Sequence, residues 1–261
     1  MSVMGVALLS VVAMMSGAQE GATTKRWVLY HGQPGAIAVT LSAERSTYYV
    51  GEPVRLTVAV RNESDEALAG FFNATSGNAE VSYRRSGLPF IRFDSKSKAT
   101  SRRQWRDELR APAPLEPGEE LKSDLKLAMH GDGRIVLEEA GEYEFKVISR
   151  PAPKDADYAV ESNVVVVRVD PVPDAQREAF AEYSRHGLGA VVQSAGSVAE
   201  KNPATLLAAA DFVDRFPFSP YAREVRKELV RALRVRVLQN RASKEQLELY
   251  ETLREAEPPG Q

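Results

Sequence analysis

The stretch Val164-Val165-Val166-Val167-Arg168-Val169-Asp170-Pro171-Val172-Pro173-Asp174-Ala175-Gln176-Arg177-Glu178-Ala179-Phe180 contains the one change of rhythm that divides this chain. Upstream of it, apolar side chains return at every second position. Downstream they return at steps of three and four. Each proline fixes its own φ and disfavours helix in the residue before it, so Pro171-Val172-Pro173 reads as a stiff linker. Asp174 then sits where a helix N-cap belongs. The four valines are apolar on both faces, which predicts a central or covered strand.

Working outward from there, Ile37, Val39 and Leu41 alternate with Ala38, Thr40 and Ser42. Val54, Leu56, Val58 and Val60 do so with Arg55, Thr57, Ala59 and Arg61, and Tyr143, Phe145 and Val147 with Glu142, Glu144 and Lys146. A period of two means strands with one buried and one wet face, as in antiparallel sheets. Weaker strand signals cover Glu80–Arg85, Pro89–Phe93 and Leu121–Leu127. Turn residues separate these runs, among them Gly51-Glu52-Pro53, Asn62-Glu63-Ser64-Asp65, Pro117-Gly118 and Gly131-Asp132-Gly133. About seven short strands with no helical period between them argue for a sandwich rather than a βαβ sheet.

Beyond the linker, helices are expected near 174–186, 188–200, 203–215, 220–239 and 243–256. The fourth is the clearest. Tyr221, Val225, Leu229, Leu233 and Val237 fall on one face, with Arg223, Lys227, Arg231 and Arg234 turned away. Ser243, with Gln246 three residues on, forms a capping-box pattern.

Tyr49-Val50-Gly51-Glu52-Pro53-Val54 and the strand ending in Arg61-Asn62 resemble the opening strands of bacterial immunoglobulin-like and fibronectin-type domains. Leu115-Glu116-Pro117-Gly118-Glu119, Gly141-Glu142-Tyr143-Glu144-Phe145 and the run from Ser162-Asn163-Val164 to Val169 look like their middle turn, penultimate strand and last strand. The resemblance implies an immunoglobulin-like β-sandwich over about 36–170, with Tyr143 placed for a tyrosine corner. Its segment 71–114 is longer and more basic than a compact sandwich loop needs. Asp211 to Ala222, around Phe216-Pro217-Phe218-Ser219-Pro220, is similar to the inter-helix turn of tetratricopeptide-like repeats in exported bacterial proteins. Only one such unit is present, whereas an array needs about three. The expected class is therefore mainly β plus α. It comprises a lead segment over 19–35, an antiparallel immunoglobulin-like sandwich over 36–170, a proline linker over 171–173, a helical-hairpin domain over 174–257 and a tail over 258–261.

Composition sets the address and excludes some chemistry. The 261 residues carry a formal charge of −2 and no cysteine. Disulfides, thiolate catalysis and thiolate metal sites are excluded, as is lipidation on cysteine. Val3 to Met15 is apolar apart from Gly5 and Ser10, and Ser16-Gly17-Ala18 supplies small residues. That pattern predicts a signal peptide over 1–18, although its start lacks Lys or Arg. The run is too short to cross about 30 Å of hydrocarbon, and no later segment is a candidate span. An exported, periplasmic or extracellular bacterial protein is expected. Asn62-Glu63-Ser64 and Asn73-Ala74-Thr75 match the glycosylation acceptor pattern by chance.

No Gly-x-Ser-x-Gly, His-Glu-x-x-His, phosphate-loop or dinucleotide pattern occurs. His31, His130 and His186 are far apart; His186, before Gly187, suits a helix C-cap. Glu119-Glu120 and Glu138-Glu139 read as solvated surface, and His130-Gly131-Asp132-Gly133 as a hairpin turn rather than a calcium loop. No catalytic group, cofactor or metal ligand is expected, and a carboxylate-dependent hydrolase ranks last among the alternatives.

Two basic stretches remain. Arg84 to Arg110 holds nine Lys or Arg against three acids, and Arg223 to Lys244 holds eight against two. Within the first, Arg102, Arg103, Trp105 and Arg106 are candidates for an acidic glycan or cell-wall polymer, with Trp27, Tyr30 and Phe71-Phe72 as further stacking aromatics. On the second, Arg223, Lys227, Arg231 and Arg234 are candidates for a partner-facing helix surface. A plainer use is intramolecular. Glu116 to Asp170 carries thirteen acids against seven bases, enough to dock a basic helical domain. No nucleic-acid footprint shows. The expectation is a non-enzymatic interaction protein with a partner in the cell envelope.

Overall fold

The computed structural model describes residues 27–29, 35–69, 79–93, 114–150, 159–193 and 203–255. The signal peptide expected over 1–18, the Phe71-Phe72 pair and the run from Arg102 to Arg106 lie outside them.

In chain order the strands are β1 Trp27–Leu29, β2 Ile37–Ala43, β3 Thr47–Tyr49, β4 Val54–Asn62, β5 Ala67–Ala69 and β6 Ala79–Arg85. There follow β7 Ile91–Arg92, β8 Glu120–Leu127, β9 Gly141–Ser149, β10 Val160–Glu161 and β11 Val165–Asp170. One sheet runs β2-β4-β8 and is antiparallel throughout. The other runs β3-β11-β9-β6-β7, with β10 also on β9. Their inward residues share a single core. Ile37, Val39, Leu41, Leu56, Val58 and Leu127 come from the first sheet, and Val81, Tyr83, Phe145, Val147, Val167 and Val169 from the second. The period of two is thus a sandwich rhythm, and each fully buried Leu, Val or Phe contributes roughly 1.5–3 kcal/mol. Asn163 links the sheets, its side-chain amide bonding both N–H and C=O of Leu41 at 2.8 and 3.0 Å.

The strand pairing needs correction: it is not wholly antiparallel, because β3 runs parallel to β11 and β1 parallel to β5. The valine run is central in its sheet, between β3 and β9, as its composition predicts, but one side of it is wet. Val164 and Val166 are 45% and 55% exposed, while Val167 and Val169 fill the core. In a sandwich only one side of a sheet faces the partner sheet, so an apolar run can still have a wet side.

After the linker, Asp174–Gln176 makes a 3-10 turn. Then come α1 Arg177–Arg185, a helical stretch over 189–193, α2 Pro203–Arg215, α3 Pro220–Leu238 and α4 Lys244–Glu255. Asp174 is not an N-cap; its carboxylate pairs with Arg177 at 2.7 Å instead. The other end signals behave as read. Gly187 takes φ +59 after α1, with Leu188 N–H returning to the Tyr183 carbonyl at 3.0 Å. The capping box before α4 closes in both directions, Ser243 N–H to Gln246 Oε1 at 3.2 Å and Gln246 N–H to Ser243 Oγ at 3.3 Å. Tyr183, Leu188, Val191, Phe212, Tyr221, Val225, Leu229 and Leu233 form a second core, and Ala128 of the sandwich belongs to it. Of the predicted α3 stripe only Val237 is not fully buried.

Candidate binding cleft at the seam

Helix α3 has three faces. One enters the helical core. A second meets the sandwich: Glu224 accepts from Arg55 of β4, with Nη2 2.5 Å and Nε 3.0 Å from Oε2. Glu228 pairs with Lys126 of β8 at 2.6 Å. Burial lowers the Lys126 ammonium, which Glu228 opposes; burial also acts against Arg55, but its bond and attraction to Glu224 win and raise it. The expected docking charge is therefore reversed. The two acids of the basic helix face bases of the sandwich, and Arg223, Arg231 and Arg234 are left outward. Composition over a segment does not say which side of a helix its charges occupy.

The turn between β3 and β4 fastens the same seam. Tyr221 donates its hydroxyl to the Val50 carbonyl at 2.7 Å. Gly51 has φ +82, and a Cβ there would overlap the Phe180 ring of α1. Below, Gln193 bonds the Ala128 N–H at 2.9 Å and the Lys126 carbonyl at 2.9 Å. Burial, aided by the charge of Glu52, pushes the Tyr221 hydroxyl far above the ordinary phenol range.

Beside this seam lies a cleft of about 740 Å³. Arg45, Tyr49 and Glu52 come from the sandwich side, Pro173 from the linker, Gln176 from the 3-10 turn, and Pro217 to Pro220, Arg223, Arg226, Lys227 and Val230 from the helices and the turn before α3. Four bases face one acid. Glu52 is buried, its Oε2 accepting from the Tyr49 N–H at 2.7 Å and its Oε1 3.4 Å from Arg45. Phe218 is 96% exposed on the rim. Four bases, an open aromatic ring and three prolines can hold an anion next to an apolar group.

Arg223 and Lys227 of the expected helix surface therefore sit in the cleft. Arg231 lies in a smaller hollow of about 360 Å³ with Arg55, Asp124 and Lys126, and Arg234 is exposed elsewhere. Arg102, Arg103, Trp105 and Arg106 are outside the described residues, as are Tyr30 and His31. Nearer the start of that basic segment, Arg84 pairs with Glu144 at 2.7 Å, Arg85 with Glu139, and Arg92 with Glu80 at 3.5 Å. The hydrogen bond from Arg84 holds the Glu144 carboxyl below the usual range. Tyr143 does form its corner, donating to the Glu139 carbonyl at 3.1 Å. The turn after β8 is a hairpin, with Gly133 N–H to the His130 carbonyl at 3.0 Å. Sequence reasoning placed His130 in this turn but missed its burial. His130 Nε2 lies 2.5 Å from the Tyr83 hydroxyl, under the Phe93 ring. It also missed Arg45, Glu52 and Phe218. The signal available for Phe218 was its place between two prolines, outside any apolar period.

Among the described residues no group of three or more His, Asp or Glu is placed to hold a metal ion, and no helix is long and apolar enough to cross a membrane. No family model and no curated protein sequence matches the chain. Solved structures similar in part include a β-glucosidase from Erythrobacter marinus, at 17% identity and TM-score 0.27 over 51% of this chain. This chain spans only 15% of that enzyme's length. A CARDB domain from Pyrococcus furiosus, crystallised with di-metal ions, shows 10% identity and TM-score 0.28 over 52% of this chain and 94% of its own. A sporulation control protein from Bacillus subtilis shows 12% identity and TM-score 0.30, covering 58% of this chain and 56% of its own. Superpositions this loose carry no activity or ligand over to this chain.

Proposed function

We propose that this chain is an exported, non-enzymatic interaction protein of the bacterial cell envelope. In this reading an immunoglobulin-like sandwich and a repeat-like helical hairpin jointly offer the seam cleft to a protein partner. The observation that carries it is the cleft's lining. Arg45, Arg223, Arg226 and Lys227 gather beside the open Phe218 ring, and an exposed aromatic among arginines is the composition of interface hot spots. The acidic-glycan reading draws on Arg102 to Arg106, while Arg84, Arg85 and Arg92 of the same segment are already paired with acids. The cleft is the better supported site.

A photo-crosslinking residue placed at Phe218 in cells tests this. A discrete protein adduct is expected there and not at Leu238, which is also well exposed but lies outside the cleft. Equal capture at both positions, or adducts only with polysaccharide, would remove the proposal.

A further inference from the structure

Resting on the cleft as the binding site, we infer that its anchor is a carboxylate subsite at the N-terminal turn of α3. An acidic peptide segment would place a side-chain carboxylate against Ser219, Arg223 and Lys227, and an adjoining apolar side chain on Phe218. The nineteen-residue helix points its N-terminus into the cleft, where Ser219, Pro220, Arg223 and Lys227 all form the wall. Such an end carries about half a positive charge. Pro220 brings no N–H, and the N–H groups of Tyr221 and Ala222 precede the first intrahelical acceptor.

Ser219 supplies an independent observation. As N-cap it should use its hydroxyl on one of those N–H groups. It makes no such bond, and its Oγ is buried without any partner although the residue is only 4% exposed and lines the cleft. A buried hydroxyl with no partner is rare, and a ligand oxygen would satisfy it. Arg223 and Lys227 follow at i+4 and i+8, on the same face of the helix. Among the described residues Arg223 makes no ion pair, and Lys227 has only Glu224, at 3.6 Å. Glu52 is the opposing charge, and Arg45 and the Tyr49 N–H already hold it. The positive charge of the cleft that Glu52 does not meet therefore includes Arg223 and Lys227 on the α3 wall. Phe218 and the prolines fit a peptide better than a bare ion, because they offer apolar area beside the charge.

The test titrates the full chain with the capped peptide Glu-Glu-Phe-Glu-Glu, following backbone amide shifts and affinity. Shifts centred on Tyr221, Ala222 and Arg223 are expected, with affinity falling about tenfold in Arg223→Ala and Lys227→Ala and severalfold in Ser219→Ala. Replacing the peptide's glutamates by glutamine should abolish binding. Ser219→Ala removes no hydrogen bond within the fold, so an unchanged melting curve separates loss of the subsite from misfolding. If Phe218→Ala weakens binding while the three α3 changes do not, the anchor is wrong and the cleft reading survives. If none of the four matters, both fall. Inorganic phosphate displacing the peptide equally well at matched ionic strength would overturn the carboxylate assignment. So would polygalacturonate binding that ignores Phe218→Ala.

Discussion

Arg55 on β4 and Glu224 on α3 meet at 2.5 Å across 169 residues of sequence, and their pairing fastens the sandwich to the helices. Glu224 is 5% exposed and Arg55 28%, so one partner is desolvated and the other is still washed by water. Removing a single member of a buried pair costs about 3–5 kcal/mol; the exposure of Arg55 lowers the expectation for Glu224→Ala to about 2 kcal/mol. Arg55→Met combined with Glu224→Met should recover most of that. Urea unfolding measures both, and an unchanged midpoint for Glu224→Ala would make the pair ornamental.

Gly51 meets two demands at once. A left-handed φ costs a non-glycine residue roughly 1–2 kcal/mol, and Phe180 occupies the space of a Cβ. Gly51→Ala is expected to destabilise by more than about 2 kcal/mol. Adding Phe180→Ala relieves the overlap but not the backbone cost, so it should not restore the Gly51→Ala chain to the stability of Phe180→Ala alone. Thermal melts of the two single variants and the double decide this.

Burial, with Glu138 adding to it, pushes the Tyr83 hydroxyl up to about 12 from 10.0. A raised folded value means the neutral phenol is preferred in the native state. That stability is whole below pH 10 and is lost as pH climbs through about 12. Unfolding free energy measured against pH should fall in that window for the natural chain, and the slope should shrink in Tyr83→Phe. At neutral pH the same change removes a partner of buried His130, at a cost of about 1–3 kcal/mol.

Asn62 is fully buried and works as a bracket. Its Nδ2 donates to the carbonyls of Glu66 and Leu115, both at 2.8 Å, and its Oδ1 accepts from the N–H and hydroxyl of Ser64. Asn62→Asp keeps the acceptor and loses both donors, for an expected loss of about 2 kcal/mol in chemical denaturation. The same burial closes this asparagine to glycan attachment in the folded chain. Treatment of the folded protein from a glycosylating host with a glycosidase should leave its mass at this site unchanged.

The strands with a period of two were readable because one face meets hydrocarbon and the other meets water. Helix ends at Gly187 and Ser243 were readable because their bonds are local. What stayed hidden was the seam. Arg55, Glu224, Lys126 and Glu228 look like ordinary solvated charges in a row of letters, since only the docked pose brings them within reach. The wet side of Val164 and Val166 was hidden for the same reason. The cleft followed suit: Arg45 and Glu52 flank β3 while Ser219 lies far along the chain before α3, and no local rule brings the two segments together.

The short turn from Tyr49 to Glu52 lends its two ends to the cleft and its two middle residues to the joint with α1 and α3. A guest lodged there would press on the joint itself, acting like a rivet. Occupancy and the firmness of the union between the two lobes should then rise and fall together, so that saturating amounts of a cleft binder raise the temperature at which the whole chain comes apart.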